Sequence, residues 1–61
     1  MNKEFKYKVG DKVCFIGIKK EYLIGIIKEV EKTYDETKNL YLVYGYPYLR
    51  YEEEIVGLVE N

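Results

Sequence analysis

Histidine, tryptophan, alanine, serine and glutamine are absent from this sequence, and cysteine, proline and methionine each occur once. Each gap removes a class of chemistry. Without serine or histidine there is no hydroxyl-imidazole pair to act as nucleophile and base. The single cysteine, Cys14, forbids an intrachain disulfide and suits a reducing compartment. With one thiol and no imidazole, zinc would have to rest largely on carboxylates, which structural zinc sites rarely do. No uninterrupted apolar run approaches the roughly 18 residues of a membrane span. The first ten residues mix Lys3, Glu4, Lys6 and Lys8 with aromatics and contain no apolar stretch of the kind that marks a secretory signal. The expectation is a cytoplasmic chain with no membrane contact, no metal and no cofactor.

What is present is lysine, glutamate, isoleucine and tyrosine in abundance, a bias that suggests an AT-rich genome such as that of a low-GC bacterium or one of its phages or plasmids. The 61 residues make one domain, 1–61, with a core over about 5–60. At this size folding hides only about 60% of the unfolded chain's surface. Small domains gain stability from disulfides, a metal or oligomerisation; with the first two nearly excluded, self-association or a partner remains. The net charge of −1 conceals a gradient: residues 1–32 hold eight lysines against five acids, and residues 33–61 hold Lys38 and Arg50 against six. The total is far from the basic balance usual in nucleic-acid-binding domains.

The hydrophobic period is that of strands. In "KVCFI" (12–16), Val13 and Phe15 share one face and Cys14 and Ile16 the other. "YLIGIIKEV" (22–30) reads as a long strand bent at Gly25, although Lys28, Glu29, Glu31 and Lys32 would tolerate a helix. The polar tract "TYDETKN" (33–39) is a hairpin connection. "LYLVYG" (40–45) and "YPYLRY" (46–51) follow, with Gly45 and Pro47 as punctuation and Pro47 favouring a strand start or an edge. "EEE" (52–54) forms a tight turn and "IVGLVE" (55–60) a closing strand. Five short strands without a long helix predict an all-β fold, a single five-stranded barrel, since closure removes exposed edges.

"YKVGDKVCF", "GIIKEV", "LYLVYG" and "EEEIVGLVE" together resemble the SH3-like small barrels, in particular Tudor-like and KOW-like members. There a hydrophobic-Gly-Asp-x-hydrophobic opening enters the first strand and an acidic turn closes the barrel. The resemblance implies that Gly10 and Asp11 form the opening turn. It implies a first core pair at Val13 and Phe15, Gly25 with Ile27 in the second strand, Tyr41 and Val43 in the third, and Ile55 and Leu58 in the closing segment, all of them structural roles. It carries no activity with it, because function on such a fold lives in grafted sites. A Tudor-type aromatic cage would draw on Tyr44, Tyr46, Tyr48 and Glu52, yet adjacent tyrosines on one hairpin do not make a cage. A KOW-type surface needs basic loops, and only "GIKKE" is basic. The pore of plasmid-borne type II dihydrofolate reductases uses a Val-Gln-Ile-Tyr segment, and this chain has no glutamine.

Catalysis is not expected. Cys14 reads as a partly buried thiol beside Phe15, and three consecutive glutamates, Glu52 to Glu54, do not converge on a cation. The one excess is tyrosine in "LYLVYGYPYLRY" (40–51), where both faces of the third strand are apolar. These rings are either amphipathic hairpin residues or an exposed patch that marks a binding surface. Tyrosine and arginine favour protein interfaces. The residues expected to meet a protein partner, or a second copy, are Leu42, Tyr44, Tyr46, Tyr48 and Arg50. The alternative is a KOW-like nucleic-acid surface made of Lys6, Lys8, Lys19 and Lys20.

Overall fold

The computed structural model describes residues 4–59. Its strands are β1 (Lys12–Ile16), β2 (Tyr22–Lys32), β3 (Asn39–Val43), β4 (Tyr46–Tyr51) and β5 (Ile55–Leu58), with one 3-10 turn, Glu52–Glu54, before the last. The segment that would tolerate a helix is strand throughout, and β2 runs two residues further than its apolar pattern. β3 stops at Val43 because Tyr44 and Gly45 make the hairpin turn, with Gly45 at φ +78°. Pro47 lies in β4, an edge strand, where its missing N–H costs no ladder bond.

All pairings are antiparallel, and the order is β4-β3-β2-β1-β5. β2 belongs to both halves: Tyr22 to Ile26 pair with β1, and Ile27 to Lys32 pair with β3. The register breaks between Ile27 and Glu29, and a bulge of this kind bends the strand. The two halves thereby enclose one cluster of Tyr7, Val13, Phe15, Ile27, Tyr41, Val43 and Ile55, with Leu23, Val30 and Tyr46 packed against it.

The expected barrel closure is not present as a ladder: β4 and β5 are the two ends of the strand order. Side chains tie β4 to the end of β1 instead. Arg50 on β4 donates from Nε to the carbonyl of Ile16 at the end of β1, 3.0 Å away, and pairs through its other end with Glu54. The Tyr46 hydroxyl accepts the Ile18 N–H at 2.7 Å. Leu58, expected in the closing segment, lies on β5 and is 62% exposed. A bulge between Cys14 and Phe15 sets both Ile55 and Leu58 opposite core residues of β1, Phe15 and Val13; Ile55 is buried there, while Leu58, on an edge strand, stays in water.

The opening "VGDK" works as a clasp. Gly10 adopts φ +97°, the Asp11 carboxylate accepts the Lys8 N–H at 3.0 Å, and Gly10 and Asp11 exchange backbone hydrogen bonds with Ile27. The Lys8 N–H, with the Lys8 ammonium, holds the Asp11 carboxyl below its ordinary pKa.

Candidate functional site

The five residues expected to form a contact surface do not share one face. Tyr44 stands in the β3–β4 turn, 60% exposed, with the Lys28 ammonium 5.7 Å from its ring centre. Tyr48 is 50% exposed. Between them Tyr46 is half-buried, edge-on to Phe15 at 5.2 Å and to Tyr48 at 5.7 Å, with its hydroxyl fixed by Ile18. Leu42 lies opposite Glu29, on the face away from Tyr41 and Val43. Arg50 is not an exposed anchor: it is 9% exposed, because its guanidinium is held between Ile16 and Glu54.

The structure adds residues that the sequence did not bring to this site. The bend of β2 carries Lys28 to Tyr44, and an open groove of about 350 Å³ runs between Lys28, Leu42, Val43, Gly45, Tyr46 and Pro47. Ile18, 47% exposed, adjoins Tyr46 through its backbone. The most exposed aromatic of all is Tyr34, in the β2–β3 loop. That loop is organised by Asp35, whose carboxylate accepts from the Thr33 hydroxyl at 2.7 Å, the Thr37 hydroxyl at 2.8 Å and the Thr37 N–H. The same bonds, the Thr33 hydroxyl foremost, lower the pKa of Asp35.

The four lysines of the alternative surface fall on two loops with different anchors. Lys6 and Lys8 belong to the amino-terminal segment, where Lys8 pairs with Asp11 at 3.2 Å and the Lys6 ammonium lies 5.8 Å from the Tyr7 ring centre. Lys19 and Lys20 are exposed in the β1–β2 turn, shaped by Lys20 N–H on the Gly17 carbonyl and Lys19 N–H on Glu21. This turn meets Tyr46. Cys14 is a free, half-buried thiol on β1.

The acidic turn diverges. Glu52 points inward, Glu53 outward and Glu54 toward Arg50 and the Tyr51 N–H. Among the described residues no group of three potential ligands could hold a metal ion, and no helix is long and apolar enough to cross a membrane.

The most connected polar groups are structural. The Tyr41 hydroxyl donates to Glu52 at 2.5 Å and accepts the N–H groups of Lys6 and Tyr7 at 3.1 and 3.2 Å. Asn39, 1% exposed, donates to the Glu4 carbonyl and to Glu52 and accepts from the Lys32 ammonium at 2.7 Å. The amino-terminal segment is thus fastened across β3. Burial first, and then the neighbouring Glu52 carboxylate, push the Tyr41 phenol up to about 12 from an ordinary 10. A pKa raised by folding means that the stabilisation is fully present below the unfolded value and is lost as pH climbs through the folded one. We therefore expect the stability difference between the protein and Tyr41→Phe to hold up to about pH 9.5 and to shrink between about 10 and 12. Denaturant midpoints measured across that range check it, and a pH-independent difference would contradict it.

Neither the protein-family models, the curated proteins nor the solved structures contain a match to this chain.

Proposed function

We propose that this chain is an SH3-like small barrel that works by binding another protein, not by catalysis, through the tyrosine ridge of the β3–β4 hairpin. The fold reading is supported by the β1–β4 meander with β5 returned beside β1, the long β2 shared between two halves, the 3-10 turn before the last strand and the side-chain seam between β4 and β1. The observation that carries the functional reading is the asymmetry among the tyrosines. Tyr46 is locked by Phe15 and Ile18, while Tyr48, edge-on to it, and Tyr44 keep half or more of their surfaces in water. Rigid, part-anchored aromatics contribute contact area at low entropy cost. Leu42 and Arg50 act as framework, the first beneath the groove and the second in the seam.

The nucleic-acid reading keeps two supporting observations: the β1–β2 turn places Lys19 and Lys20 in the loop that meets Tyr46, and Lys28 stands over Tyr44. Aromatic rings flanked by cations are what single strands use.

One experiment separates the two. Tyr44→Ala with Tyr48→Ala removes exposed rings, and surface changes of this kind usually alter stability by no more than about 0.5 kcal/mol each. In nuclease-treated lysate of the native host, with retained proteins quantified by mass spectrometry, the double variant is expected to lose at least about tenfold of a partner that the parent retains. Equal retention by both would remove the ridge from consideration. Retention that disappears with nuclease and falls steeply with salt would move the site to the lysines.

A further inference from the structure

A second apolar surface lies away from the tyrosine hairpin. The pairing of β1 with β2 assigns the outer positions: Lys12 is opposite Ile26, Cys14 opposite Ile24 and Ile16 opposite Tyr22. The positions between them on β1, Val13 and Phe15, belong to the core. β5 continues the outer face with Gly57 opposite Cys14, and Val56 stands in the adjoining bulge. Tyr22 is 72% exposed, Ile24 61%, Val56 56% and Ile26 37%. Apart from Lys12 at one corner, the paired positions of this face carry no charge. Charge returns at Lys28 and Glu29, where β2 bulges, and in Lys19, Lys20 and Glu21 of the turn. An apolar patch with a charged rim has the anatomy of an interface.

We infer that this face is the contact surface of a homodimer, with a second copy stacked on it sheet against sheet. Three considerations select a second copy. A two-fold interface sets a patch against itself, so it favours a face without net charge of its own, and the centre of this one is neutral. The size is right. A specific interface takes at least about 500 Å² from each partner, roughly a ninth of this chain's 4538 Å², and four large apolar side chains exposed by a third to three quarters, with Cys14 and Ile16 between them, supply an area of that order. Finally, among the described residues thirteen large hydrophobics are exposed against seven in the core, in a chain with no disulfide. Two sheets packed about 10 Å apart gain a second core from such faces.

Sedimentation tests this directly. The protein is expected to run at twice its 7.3 kDa at about 100 µM. Ile24→Lys should run as a monomer with an unchanged far-ultraviolet circular dichroism spectrum. Its dissociation constant should rise at least about 100-fold, because a lysine would be buried against apolar surface. Tyr22→Lys, at the first position of β2, serves the same purpose should Ile24→Lys fail to fold. Cys14 gives an independent readout: its alkylation by a maleimide should slow as the concentration of the parent protein rises, and should be independent of concentration in the lysine variants. A parent protein still monomeric at about 1 mM, a dimer that survives both lysines, or a dimer broken instead by Tyr48→Ala would each overturn the inference.

Discussion

Gly25→Ala is expected to destabilise the protein by about 2 kcal/mol, the balance of two opposing effects. Replacing a strand glycine by alanine ordinarily stabilises by about 0.5–1 kcal/mol, because glycine loses the most freedom on folding. Here the added methyl would overlap Cγ1 of Val43, a buried core side chain, and touch Phe15 at 3.6 Å. Overpacking of this kind costs about 1–3 kcal/mol, and a methyl set against a buried β-branched residue falls at the upper end. Overlap wins. A net loss of 2 kcal/mol corresponds to a melting temperature lower by about 8–16 °C in a domain this small.

The second half of the test is Val43→Ala, which alone opens a cavity at about 2 kcal/mol. In the double variant the new methyl enters the space vacated, so the two losses should fall short of their sum by about 1–2 kcal/mol. Strict additivity, or a Gly25→Ala protein more stable than the parent, would show that the absence of a side chain at Gly25 has another cause.

Tyr41→Phe is expected to cost about 2–4 kcal/mol while leaving the ring contacts with Phe5 and Tyr7 in place. Only the hydroxyl is lost, but it serves three partners. Glu52 keeps the N–H of Lys6 at 3.0 Å and the amide of Asn39 at 3.0 Å, whereas the Tyr7 N–H loses the acceptor it has in Tyr41. An orphaned buried donor costs about 1–3 kcal/mol and a lost bond to a carboxylate about 1.5–3 kcal/mol, and the remaining partners on Glu52 recover part of the second. Against a total stability of about 3–9 kcal/mol for a chain of this length, that is a large share. Hydrogen exchange distinguishes a local from a global effect. The amides of Lys6 and Tyr7 should lose protection first, with β1 and β2 following only to the extent that the whole fold is weakened. Unchanged stability and unchanged exchange at both amides would mean that the amino-terminal segment is held by packing alone.

What could be read in the letters was local alternation. Val13 with Phe15 and Tyr41 with Val43 share a face as their parity requires, and the turns stand at Gly45 and in the glutamate run. Asn39 closes a tract of turn formers and looked like loop, yet it is among the most buried residues. Its partners, Glu4 and Glu52, lie 35 and 13 positions away, and no local pattern specifies such a meeting. Tyr7 was hidden for the same reason, sitting among lysines until Tyr41 receives it. Arg50 could have been suspected from Glu54 four positions on, but the Ile16 carbonyl that completes its site is 34 positions distant. The excess of apolar residues was legible. Which of those residues face water was not, because the outward parity of a strand such as "YLIGI" depends on bulges that spacing alone does not place.

The side-chain seam between β4 and β1 has a consequence for how such a protein changes over generations. A backbone ladder is indifferent to sequence, since every residue except proline offers the same two groups. A seam made of Arg50, Glu54 and Tyr46 is written in particular letters. One or two substitutions there can therefore loosen or tighten the joint without disturbing any strand. Chains with the same five strands can inherit them in common and still differ in whether β4 is tied to β1.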